Sequence, residues 1–147
     1  MDTTRDQKLQ ALDLLRKAAF DFQGSAAQAR RRTKVAAKLG RGAMTKKEIR
    51  ETFFDAFADL SMARKVLASA LKLCDLGISP EEIREFHSNT SRILRDLRAA
   101  TVSEIERNEL RSIAHEISGM LVIARDSAAS LDFRAARAKK EILEKVA

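Results

Sequence analysis

The chain has no tryptophan and no tyrosine, and in 147 residues it has one cysteine, one proline and five glycines. A lone cysteine, Cys74, leaves no intrachain disulfide and no thiolate metal cluster to build. So little glycine and proline, beside 45% apolar and 33% charged residues, excludes general disorder. β-Branched residues are also few. No apolar leader opens the chain and no run approaches the ~18 apolar residues of a membrane span. The expected location is therefore cytoplasmic, in the cytosol or nucleoid. There is no P-loop, GxGxxG, HExxH, EF-hand loop or Glu-x-x-His pair, so no cofactor, no metal and no enzymatic activity are expected. Negative charge is short as well: 21 acidic residues face 28 basic ones, for a net +7 and a pI near 9.9. That balance fits nucleic acid, an anionic membrane or an acidic protein as partner.

What is present is alanine, leucine, arginine, lysine and glutamate, all strong helix formers. Apolar or small residues recur at Leu12, Leu15, Ala19, Phe22, Ala26, Ala29, Thr33 and Ala36 in alternating steps of three and four. That stripe predicts a first helix over about 5–39, unless Gly24-Ser25 splits it into a short hairpin. Gly40-Arg41-Gly42 stops it. Thr45 and Glu48 then form a capping box, with Met44 and Ile49 placed to staple it. The second helix, about 46–76, carries Ile49, Phe53, Ala56, Leu60, Ala63, Leu67, Ala70 and Cys74 on its stripe, widened by Phe54, Phe57, Val66 and Leu71. Phe20 and Phe54 lie off the narrow stripes, as wideners of the core face, as oligomer contacts or as exposed anchors for a membrane.

Gly77 ends that helix. Ser79 caps a third one at about 80–100, with Pro80 at the first position and Ile78 and Ile83 as staple. Its core face is Ile83, Phe86, Thr90, Ile93 and Leu97. Thr101-x-x-Glu104 and Ser103-x-x-Glu106 both resemble capping boxes and predict a turn near 100–104. Leu110, Ala114, Ile117, Leu121, Ala124, Ala128, Leu131, Ala135, Ala138 and Ile142 then predict a fourth helix over about 104–145, with Ser130 or Asp132 as the places where it would break. The expected fold is all-α: one domain, as an elongated antiparallel four-helix bundle or paired helical hairpins with heptad packing. Its many alanines allow close helix approach but supply little apolar area each, so area borrowed from a second copy, a homo-oligomer, is a further expectation.

The positive charge is local. Residues 30–50 hold Arg30, Arg31, Arg32, Lys34, Lys38, Arg41, Lys46, Lys47 and Arg50 against Glu48 alone, a net +8 in 21 residues. In an up-down-up-down bundle, Arg92, Arg95, Arg98, Arg107 and Arg111 gather at the same pole. Two helix starts would add free N–H groups there. These fourteen residues are the candidate anion or nucleic-acid site. No Asn or Gln grouping reads bases and no short recognition helix is present, so backbone phosphates are the expected target.

Chemistry has one further candidate. Arg107-Asn108 and Arg111 precede His115. This resembles the Arg…His motif of HEPN-domain ribonucleases, which are small helical bundles. Arg107 stands eight positions before His115 and Arg111 four, on either side of that family's usual interval. The resemblance implies His115 as general base and Arg111 or Arg107 as phosphate clamp. By themselves the residues fit a boundary histidine paired with Glu116 or Arg111. His87 reads as a flank residue and Cys74 as core.

Overall fold

A computed structural model describes residues 3–145. Those residues form four helices and no strand: α1 (Thr3–Ala36), α2 (Lys46–Leu73), α3 (Pro80–Val102) and α4 (Arg107–Glu144). The helices run up, down, up, down as an antiparallel bundle. α1 packs on α2 and α4, and α3 packs on the same two from the other side. At ~1.5 Å per residue, α1 and α4 are both over 50 Å long, and they make the most extensive seam.

The heptad stripes became the core. Leu12, Leu15, Ala19, Phe22, Ala26, Ala29, Thr33 and Ala36 are all buried, as are the α4 residues from Leu110 to Ala138 on their stripe. Both sides of the α1–α4 seam are rich in alanine, which allows the close approach. Phe22 of α1 meets Phe86 of α3 across the bundle, ring centroids 5.0 Å apart and planes at 75°. Such an edge-to-face pair adds to the apolar burial at the middle of the core. The buried hydroxyls are satisfied locally. Thr33 donates to the Arg30 carbonyl, Thr90 to that of Phe86 and Ser118 to that of His115. Cys74 is buried, as expected.

Continuity also resolves. α1 passes through Gly24-Ser25 without a break, and α4 passes through Ser130 and Asp132. Asp132 is instead paired with Arg16 across the seam at 3.1 Å.

Several helix ends differ from expectation. α1 stops at Ala36 because the hydrogen bonding tightens there: Lys38 N–H reaches the Val35 carbonyl, and Gly40 follows at φ +86°. α2 stops at Leu73, short of residue 76, because Cys74 turns extended and lets Leu76 and Ile78 fold back onto the core. α3 runs on to Val102, and α4 begins at Arg107 rather than near 104. Neither expected capping box forms at that join. The Thr101 hydroxyl donates back to the Arg98 carbonyl, Ser103 is the C-cap of α3, and Glu106 heads α4 without a side-chain cap.

One of the readings of Phe20 and Phe54 is overturned as well. Phe20 and Phe54 do not widen the core: they are 69% and 64% exposed, and Val66 is half exposed. α2 buries one seam and is flanked by α1 and α3, so a residue one step past Phe53 falls on its solvent face.

The cap at Thr45 is complete. Glu48 N–H donates to the Thr45 hydroxyl at 3.2 Å, and Thr45 N–H donates to Glu48 Oε1 at 3.0 Å. The backbone hydrogen bond from Thr45 and then its hydroxyl hold the Glu48 carboxyl below the usual carboxylate range, with desolvation opposing them and the charge of Arg107 adding least. A depressed folded pKa contributes stability above the unfolded value, near ~4.3, and loses it as pH falls through the folded value. The gap in Tm between the parent and Glu48→Gln should therefore close as pH drops below about 4.3, in thermal melts across the acid range.

Candidate anion-binding interface

The two loops at the end of the bundle that carries the α2 start are docked on each other by basic side chains. Arg107 Nε donates to the Met44 carbonyl at 2.9 Å, and its Nη2 reaches that of Ala43 at 3.3 Å. Arg50 Nη2 donates to the Ser103 carbonyl. Lys46 pairs with Glu104 at 3.4 Å. The expected meeting of the 30–50 stretch with the α3–α4 join is thus real. The same contacts also engage three of the cations in holding the join together, in place of the capping boxes it lacks.

Helix phase places the others. Arg16–Asp132 marks the flank of α1 toward α4, and Arg30, two heptads later, shares it. Arg111, three heptads before Asp132, faces it from α4 and donates to Asn108 Oδ1 at 3.1 Å. Arg32 lies on the other flank of α1 and pairs with Asp59 of α2 at 3.0 Å. On α3, Arg98 lies two turns past Ser91, which accepts from Arg64 of α2, so Arg98 belongs to the α2 side. Arg92 follows Glu85 by one heptad. Glu85 shares a concavity with Ile123 and Asp126 of α4, so Arg92 belongs to the α4 side. Arg92 is also ten residues short of the end of α3, about 15 Å below the pole. Arg95 is exposed with Asp96 at 3.8 Å. Arg92, Arg95 and Arg98 therefore differ in place: Arg98 lies nearest the pole and Arg92 farthest from it.

Five exposed cations of the 30–50 stretch remain uncommitted. Arg31, Lys34, Lys38, Arg41 and Lys47 are exposed, and among the described residues none makes an ion pair or side-chain hydrogen bond. They follow the end of α1, its glycine turn and the start of α2. Surface ion pairs are worth ~0–1 kcal/mol, so pairing alone would not have held these side chains from a ligand. Their freedom means that a phosphate meets them without displacing a carboxylate.

Two open concavities border them. One, about 320 Å³, has Arg31, Arg32, Val35, Met44, Thr52 and Asp55 on its walls. The other, about 560 Å³, lies over the outer face of α2 between Lys46, Lys47, Arg50, Glu51 and Phe54, with Thr101 and Glu104 across from them. Asp55 borders both. The α1–α2 carboxylates Asp55 and Asp59 were not foreseen as part of this surface, because they meet Arg31 and Arg32 only through the packing of two helices.

At His115 the Arg111 guanidinium turns to Asn108, and Arg107 is engaged at the loops. The histidine itself is exposed, and its ring is hydrogen-bonded to neither Glu116 nor Arg111. Among the described residues no group of acidic, histidine or cysteine side chains is placed to hold a metal, and no helix is long and apolar enough to cross a membrane. The chain matches no protein-family model, no curated protein and no solved structure at a significant level.

Proposed function

We propose that the protein is a non-enzymatic helical bundle that binds nucleic acid through backbone phosphates, with little sequence specificity, in the cytoplasm. The observation that carries this reading is the set of five exposed, unpaired cations that the 30–50 stretch brings to one pole: Arg31, Lys34, Lys38, Arg41 and Lys47. They sit beside Arg98 and next to the N-terminus of α2, where the helix dipole adds partial positive charge. Lysine and arginine on a helix end and its turn give point and fork contacts to phosphates but no fixed donor-acceptor pattern for base edges. Fluorescence anisotropy with labelled single-stranded and duplex oligonucleotides at about 50 and 200 mM salt tests it. Binding that weakens steeply with salt supports the reading, and absence of binding at the lower salt removes it.

A second reading, self-assembly, rests on the α1–α2 flank. Val66 and Leu73 follow Asp59 by one and two heptads, and with Leu14 they are at least half exposed. A second copy laid along that flank would cover them. Static light scattering at two concentrations checks this: a mass that rises with concentration is expected, and a monomer at both counts against it.

A further inference from the structure

The geometry points to single-stranded nucleic acid as the ligand of the basic pole, with one unpaired base stacked on Phe54. This rests on the phosphate-binding reading above and adds the part of the ligand that phosphates do not specify. Phe54 is 64% exposed on the outer face of α2, in the concavity of about 560 Å³. Lys47 and Arg50 stand two turns and one turn N-terminal to it on the same face. An exposed aromatic ring flanked by cations is the arrangement that binds single strands, because every base has a π-face and its phosphate lies one bond system away. A duplex keeps its bases stacked on each other and offers that ring only sugar and phosphate.

The carboxylates in the concavity decide between this and an anionic membrane. Glu51, Asp55 and Glu104 border Phe54, and only Glu104 is paired with a cation. A sheet of lipid phosphates laid over this face would meet two unpaired carboxylates at its centre. A nucleobase meets them with its edge, where exocyclic amino groups donate to carboxylate oxygens. Phosphates then stay on the rim, toward Lys47 and Arg50 on one side and toward Arg31 through the concavity that shares Asp55. The same geometry favours cytosine over thymine, since only cytosine carries an amino group on that edge.

The chain lacks tryptophan, so a Phe54→Trp variant carries a single indole reporter at the proposed stacking position. Its fluorescence is titrated with oligo(dC), with oligo(dT), with an abasic strand of equal phosphate number, with a duplex, and with phosphatidylserine vesicles. Strong quenching by oligo(dC), less by oligo(dT) and none by the abasic strand or duplex is the expected result. In parallel, Phe54→Ala in the parent should weaken oligo(dC) binding roughly five- to hundredfold and leave duplex binding unchanged. Phosphate binding without any difference between oligo(dC) and the abasic strand overturns the stacking proposal and leaves the broader reading standing. A blue shift with vesicles and no response to any strand overturns both.

Discussion

Replacing Arg31, Lys34 and Lys38 together with glutamine should weaken nucleic-acid binding roughly a hundredfold or more near 0.1 M salt. Each phosphate contact releases about 0.7 counterion from a single strand and about 0.9 from a duplex, which is worth roughly five- to eightfold in affinity at that salt. Three contacts compound to about 100- to 500-fold. The loss should be similar for all sequences, because phosphates carry no base identity. These three residues suit the test better than others in the basic stretch. They are exposed and, among the described residues, unpaired, so the fold has no stake in them. Arg32 is tied to Asp59, and Arg107 ties the two loops together, so their replacement would mix stability with binding. Anisotropy with labelled strands reads the effect, and circular dichroism verifies the fold. A loss below about threefold would place the phosphates elsewhere on the surface.

The largest effect on stability is expected from Phe22→Ala. Phe22 is 1% exposed and meets Phe86 edge-to-face at the bundle centre. Deleting a buried phenyl ring costs ~3–5 kcal/mol from lost burial and the cavity left behind. Leu60, Thr90, Ile93 and Leu94 stand around the ring with Phe86, so the deletion opens a cavity among large side chains of α2 and α3. For a domain of this size, ~1 kcal/mol shifts Tm by about 2–4 °C, so a fall of roughly 10 °C is expected. Phe54→Ala is the matched control. The same chemical change on the exposed face should alter stability by no more than about 0.5 kcal/mol. Thermal or urea melts of the two variants separate core from surface directly. Similar losses in both would mean that Phe54 contributes to packing and is not held out for a ligand.

These contrasts also mark what the sequence could and could not convey. A period of alternating three and four residues names the buried face of each helix, which is why Leu12 to Ala36 and Leu110 to Ala138 read correctly. The period says nothing about which helix lies on which flank, nor about register between helices. Arg32–Asp59 and Arg16–Asp132 join residues far apart in the chain and depend on both. The same limit hid the separation of Arg92 from Arg98, since Arg92, Arg95 and Arg98 looked alike in the pattern. At the α3–α4 join the signals misled for a different reason. Thr101 and Ser103 have capping chemistry, but the Thr101 hydroxyl donates back into α3 and Ser103 closes that helix, while Arg107 and Arg50 make the contacts across the join to the Met44, Ala43 and Ser103 carbonyls. Phe54 was ambiguous because an aromatic residue beside a stripe is compatible with a broad buried face. Only the positions of α1 and α3 on either side of α2 leave it in solvent.

The central claim is that the five free cations of the 30–50 stretch neutralise phosphates, and the slope of log K against log salt measures that most directly. With about five single-strand contacts the slope should be near −3 to −4, so that raising salt from about 50 to 200 mM weakens binding roughly a hundredfold. The Arg31, Lys34, Lys38 triple replacement should reduce the slope by about 2. A slope near zero, or one that the replacement leaves unchanged, would contradict the assignment of phosphates to this pole.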